Sequence, residues 1–232
     1  MKYPFVLLDV GDTLIGPRGS YGSIYAEVLA DLGLELSGEQ LDGGIRQASQ
    51  ELRRQIPPGI DRFSFFPGGE AELWLRFART SIALAAGRPI EDDFALAALE
   101  GLRRVFKQPD AWVIYDDVRP TLDALRAQGC RLAVVSNWDS RLPGLLERLD
   151  LARYFEVIGV SHLEGVEKPD PALFLRVLER LGATPDQALH VGNLPVEDLA
   201  GARAAGIDGL LVDRQNRLDD SHATIPDLSS LP

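Results

Sequence analysis

Short apolar runs that stop at a polar residue or a glycine restrict the fold of this chain more than any other feature. Phe5-Val6-Leu7-Leu8 stops at Asp9, Leu132-Ala133-Val134-Val135 at Ser136, and Ala188 to Val191 at Gly192. Such runs read as buried strands. From Asp116 onward they alternate with helix signals, the pattern of βαβ units with parallel strands and crossover helices. The predicted strands there are Arg131 to Val135, Phe155 to Val160, Ala188 to Val191 and Gly209 to Val212. In such sheets ligands collect just beyond the carboxyl ends of the strands, where Asp9 falls.

Between Leu14 and Asp116 the strand pattern gives way to helical periodicity. Ile24, Val28, Leu29 and Leu32 recur at helical spacing before Gly33, and Ser37 with Gln40 can form a capping box. Leu73, Phe77 and Ile82, then Phe94, Leu96, Leu99 and Leu102, supply two further apolar faces. The prediction is an α/β chain with a Rossmann-like three-layer parallel sheet core over 1–15 and 112–232, and an inserted helical cap over 16–111. A Pro/Gly-rich loop carrying Phe63, Phe65 and Phe66 is expected to plug the cap core. Cap arginines Arg18, Arg53, Arg54 and Arg62 are read mainly as surface charges. After Arg214 the chain turns polar, and a loosely held tail is expected.

Helix boundaries in the core half are sharp. Asp170 is a suitable N-cap, Pro171 fits the first turn, Leu173, Phe174, Val177, Leu178 and Leu181 form a stripe, and Gly182 is a stop.

A formal charge of −11 argues against binding nucleic acid or an anionic membrane, since both depend on Lys and Arg. The single cysteine, Cys130, excludes an internal disulfide and reads as a buried thiol at a strand start. No signal peptide or membrane span is evident, so a cytoplasmic protein is expected.

Four segments carry the chemistry: Asp9-Val10-Gly11-Asp12-Thr13, Ser136-Asn137, Lys168-Pro169-Asp170-Pro171, and His190-Val191-Gly192-Asn193 with Asp198. Taken singly, each has an ordinary alternative. Asp9 and Thr13 could stabilise a turn, Ser136 could cap the helix starting near Asp139, and Lys168 could be a solvated residue ahead of a helix. Lys168 is nonetheless one of only three lysines in the chain. Glu197 reads as an exposed helix residue, and His190 as a buried, hydrogen-bonded histidine.

In this order and spacing, from about Phe5 to Val212, the segments resemble the haloacid dehalogenase superfamily, whose members are mostly phosphatases with an aspartate nucleophile. The resemblance implies that Asp9 attacks the substrate, that Thr13 and Ser136 donate hydrogen bonds to the transferring group, and that Lys168 neutralises charge. Gly11 and Asn137 would contact the substrate, a small anionic molecule. Mg2+ would be held by Asp9, the Gly11 carbonyl, Asn193 and Asp198.

The chain departs from the pattern twice. The phosphatases carry an acid/base aspartate at Gly11 and usually an aspartate at Asn193. The first departure removes the group that protonates a leaving alkoxide; the second leaves a neutral amide where a hard cation prefers a carboxylate. A metal-free 2-haloacid dehalogenase and a noncatalytic binding module are therefore kept as alternatives. A phosphonatase-like reaction needs a cap lysine, and none occurs between Lys2 and Lys107.

Overall fold

The computed structural model describes residues 2–216, 218 and 223–231. Its strands are β1 (Phe5–Leu8), β2 (Ile15–Pro17), β3 (Trp112–Ile114), β4 (Arg131–Ser136), β5 (Val157–Val160), β6 (Ala188–Gly192), β7 (Asp208–Val212) and β8 (Thr224–Ile225). Its α-helices are α1 (Tyr21–Asp31), α2 (Gly38–Gln55), α3 (Arg62–Phe65), α4 (Gly69–Ala86), α5 (Asp92–Phe106), α6 (Val118–Ala127), α7 (Leu142–Arg148), α8 (Ser161–Glu164), α9 (Pro171–Leu181) and α10 (Gly201–Ala204). The chain divides into two compact units. One comprises Met1–Gly16, Pro58–Asp61 and Ile114–Pro232; the other comprises Pro17–Pro57 and Arg62–Val113.

The first unit is built on a parallel six-stranded sheet of order β5-β4-β1-β6-β7-β8. Phe5 and Leu7 point to the face covered by Leu173, Phe174, Val177 and Leu178 of α9 and by Ala202 of α10. Val6 and Leu8, on the alternate positions, are fully buried on the other side, which is why the β1 run is apolar throughout. The connection after β1 leads toward β4, whereas that after β6 leads to β7, so the strand order switches direction between the neighbours β1 and β6. Leu8 lies in register with Val134 of β4 and Val191 of β6, which brings Asp9, Ser136 and Asn193 to one edge of the sheet.

Local signals explain the helix ends. The Asp170 carboxylate accepts the Ala172 N–H at 2.8 Å, and Gly182 adopts the left-handed conformation that closes α9. Beyond Arg214 the structure departs from expectation. β8 adds a sixth strand, the Asp213 N–H bonds the Ile225 carbonyl, and Leu228 is fully buried. Residues 217, 219–222 and 232 of that expected tail lie outside the described residues. β5 starts at Val157 rather than Phe155, because a short 3-10 turn at Ala152–Tyr154 precedes it.

The second unit is helical. Ser37 and Gln40 form the capping box of α2, and Ser20 with Ser23 forms another on α1. Tyr25, Leu29, Leu41, Ala78, Ile82 and Leu102 make its main core. Phe63 and Phe66 pack with Ile56 and Leu73 in a smaller cluster, as a plug would. Phe65 is exposed and meets the cluster only from its rim, edge-on to the Phe66 ring.

Pro58–Asp61, which the sequence reading places within the insert, packs instead with the first unit. Ile60 bridges antiparallel to Val166, the Gly59 carbonyl accepts the Glu167 N–H at 3.2 Å, and Asp61 Oδ2 lies 3.2 Å from His162 Nδ1. These pairings are tertiary and leave no periodic trace in the sequence.

Candidate active site

At the carboxyl end of β1, Asp9 is 7% exposed. Its Oδ1 accepts hydrogen bonds from Ser136 Oγ at 2.9 Å and Lys168 Nζ at 2.7 Å, and among the described residues Oδ2 carries none. The carboxylate therefore presents one clamped and one available oxygen. Ser136 does not cap α7; Asp139 serves that turn by accepting the Arg141 N–H at 3.0 Å.

Lys168 is only 2% exposed, so it is no solvated lysine. Its ammonium spans Asp9 Oδ1 and Asp198 Oδ1, the latter at 2.6 Å. Asn137 holds the lysine's backbone from both sides: its Oδ1 accepts the Lys168 N–H at 2.7 Å, and its Nδ2 donates to the Lys168 carbonyl at 2.9 Å. The asparagine amide is thus used on Lys168, which the reading of Asn137 as a substrate contact did not anticipate.

Asp198 is saturated. Its Oδ1 meets Lys168 Nζ and, at 2.9 Å, His190 Nε2, while its Oδ2 accepts the N–H groups of Asn193 at 3.0 Å and Leu194 at 2.9 Å. A carboxylate only accepts, so His190 must carry its proton on Nε2. His190 is fully buried, edge-on to Phe174, in the structural role the sequence suggested. Gly192 is required by this packing, since a Cβ there would lie 2.2 Å from Asp198 Cγ.

Glu197 corrects an expectation. It is 7% exposed, and with Asp198 and Leu199 it makes three consecutive buried residues. The segment Pro195–Ala200 is a π-helical turn, whose wider spacing turns inward a residue that α-helical periodicity would have left outside.

Electrostatics follow from burial against pairing. Burial pushes the Asp9 carboxyl above the ordinary aspartate range, against the pull of Lys168. For Asp198 burial acts in the same sense, but Lys168 and His190 outweigh it and hold the group well below that range. Burial alone would lower Lys168; the Asp198 and Asp9 carboxylates reverse this and keep it charged.

Three buried polar atoms of these residues have no hydrogen-bond partner among the described residues, His190 Nδ1, Thr13 Oγ1 and Asn193 Oδ1, the last two at the edge where Asp9 lies. Burying such groups is costly unless something satisfies them. Thr13 Oγ1 is a donor and Asn193 Oδ1 an acceptor, which suit an anionic oxygen and a cation respectively. The Thr13 side chain thus does not brace the turn. The turn is held by the backbone, with the Leu14 and Ile15 N–H groups on the Val10 carbonyl and Arg214 Nη2 on the Thr13 carbonyl at 2.7 Å.

Asp12 sits at φ +56° and its carboxylate bonds the Tyr115 hydroxyl, on whose ring the Arg214 guanidinium stacks at 4.0 Å. Gly11 lies against the Trp138 ring, with its ideal Cβ position 3.3 Å from Cζ3. No group of three or more His, Cys, Asp or Glu side chains among the described residues could hold a metal ion. Nor is any helix among them long and apolar enough to cross a membrane.

The haloacid dehalogenase-like hydrolase family model matches residues 3–206. The chain is 33% identical over 229 residues to the haloacid dehalogenase-like hydrolase domain-containing protein 3 of Danio rerio, covering 97% of this chain and 92% of that protein. It is 30% identical over 247 residues to a phosphoserine phosphatase of Thermus thermophilus, covering 96% and 93%. A magnesium-bound crystal structure of a HAD-hydrolase from Bacillus subtilis superposes with a TM-score of 0.75 at 22% identity, covering 99% and 96%.

Proposed function

The chain belongs to the haloacid dehalogenase-like hydrolases, and from that premise we propose that it is a phosphatase-type enzyme acting on a small phosphorylated molecule through Asp9. One observation carries the reading: Asp9 Oδ1 is clamped by Ser136 and Lys168, and Oδ2 remains available for attack. The phosphatase-named relative points the same way.

In this reading Asp9 Oδ2 attacks phosphorus, the bond to the leaving oxygen breaks with its electron pair, and an aspartyl-phosphate forms. Water then attacks the phosphorus and its proton passes to the phosphate product or to solvent, while the bond to Asp9 breaks with its electron pair going to the carboxylate, which is set free. Thr13 Oγ1 donates to the transferring group. Lys168 offsets charge on Asp9 as it reacts, the type of electrostatic stabilisation that commonly dominates such chemistry. Asp198, His190 and Asn137 are positioning residues that fix Lys168.

In its ionised state the buried trio of Asp9, Asp198 and Lys168 carries one net negative charge, which disfavours a phosphate dianion unless a cation enters with it. The Asp9 carboxylate, the Gly11 carbonyl and the orphaned Asn193 Oδ1 would hold Mg2+, while the saturated Asp198 would stay out of direct contact. When bound, the ion supplies positive charge to the phosphoryl oxygens. With one carboxylate among its protein ligands, the site is expected to bind Mg2+ weakly.

A second reading, a metal-free 2-haloacid dehalogenase, is favoured by the same saturation of Asp198, which leaves Asp9 as the only carboxylate of the pair able to take a ligand. One experiment separates the two. Release of para-nitrophenolate from para-nitrophenyl phosphate, with Mg2+ and with chelator, is expected to be magnesium-dependent and lost in Asp9→Asn. Absence of turnover, combined with halide release from 2-chloropropionate in chelator, would select the dehalogenase.

A further inference from the structure

The place where the family's acid/base carboxylate begins is walled by an indole ring. The Cβ that Gly11 lacks would lie 3.3 Å from Trp138 Cζ3, closer than side chains ordinarily pack. Gly11 is two residues past Asp9, and Trp138 is two residues past Ser136, whose hydroxyl holds Asp9 Oδ1. The two therefore lie just beyond the carboxyl ends of the adjacent strands β1 and β4, as Asp9 does. The Trp138 backbone is anchored, its carbonyl receiving the Ser161 hydroxyl and the His162 N–H, both at 3.3 Å. The residue as a whole is half-buried.

We propose that Trp138 is a specificity-determining residue that selects phosphate esters with a planar, unsaturated leaving group, of the aryl or enol class. The inference rests on the phosphatase reading of Asp9 and adds the nature of the substrate. An indole carbon edge cannot donate a proton to a departing alkoxide, so the group must leave as an oxyanion that is already stable. Conjugation into a ring or double bond gives that stability, and the same planar π system packs against an aromatic wall. Gly11 and Trp138 thus act together: one withholds the acid, and the other favours leaving groups that do without it.

The test is calorimetric binding of phenylphosphonate and propylphosphonate to the intact chain at saturating Mg2+. Phenylphosphonate is expected to bind about three- to tenfold more tightly, the range of an aromatic pair contact. Trp138→Ala is expected to close the gap and Trp138→Phe to keep it, which separates ring stacking from a general loss of fold. Equal affinities in the native chain, or a preference that survives Trp138→Ala, would overturn this inference and leave the phosphatase reading standing. If neither phosphonate bound, both would fall together.

Discussion

Lys168 donates to Asp9 Oδ1 at 2.7 Å from a position that is only 2% exposed, and it spans at the same time to Asp198. A buried ammonium between two buried carboxylates leaves an uncompensated pair of charges when it is removed. Lys168→Met is therefore expected to cost about 3–5 kcal/mol of stability at neutral pH. Turnover should fall by at least about a hundredfold. Urea denaturation and para-nitrophenyl phosphate kinetics check the two effects, and a stable, active variant would remove Lys168 from the account.

In the proposed Mg2+ site Asn193 would offer the cation a neutral oxygen. Asn193→Asp adds a charged ligand at the same place and is expected to tighten Mg2+ binding by about tenfold. Isothermal titration with Mg2+ alone reads this without any substrate.

Restoring the missing acid is expected to fail on its own. In Gly11→Asp the new Cβ meets the Trp138 ring at 3.3 Å, so the ring must give way before the carboxyl can take a productive position. The single variant should raise alkyl phosphate turnover by less than about tenfold, whereas Gly11→Asp with Trp138→Ala should recover about a hundredfold, the lower end of what a positioned acid contributes. Initial rates on propyl phosphate distinguish the two variants.

The Asp117 carboxylate pairs with Arg214 at 2.8 Å and accepts the Leu228 N–H at 2.7 Å, tying the C-terminal segment to the turn that follows Asp9. Burial works to raise its pKa, but Arg214 and the Leu228 N–H outweigh it and hold the carboxyl below the ordinary range. The group binds a proton more readily when unfolded, so its contribution is complete above about pH 4 and is lost as the pH falls through its folded value. Asp117→Asn is expected to cost about 1.5–3 kcal/mol at pH 7 and progressively less below pH 4. Chemical denaturation at pH 7 and pH 3 measures the difference; an equal loss at both would show that the charge is not what matters.

Much of this was readable from residues. Apolar runs ending at Asp9, Ser136 and Gly192 announce a parallel sheet with its site at one edge, and Ser37 with Gln40 or Asp170 with Pro171 announce helix starts, because capping and burial leave local, periodic marks. Lys168 stood out as a rare residue type in a motif position. What could not be read depends on contacts between distant segments. The two-residue β8, the pairing of Ile60 with Val166, and the Trp138 ring against Gly11 have no periodicity to betray them. Glu197 was misread because a π-helical turn breaks the spacing on which the expectation rested.

The central claim is that Asp9 Oδ2 forms a covalent bond to phosphorus. Rapid acid quench of the intact chain with para-nitrophenyl phosphate and Mg2+, followed by peptide mass mapping, tests it directly. The account predicts one phosphoryl group on the peptide containing Asp9, absent from Asp9→Asn. Turnover that persists in Asp9→Asn, with no phosphorylated peptide in the native chain, would contradict it.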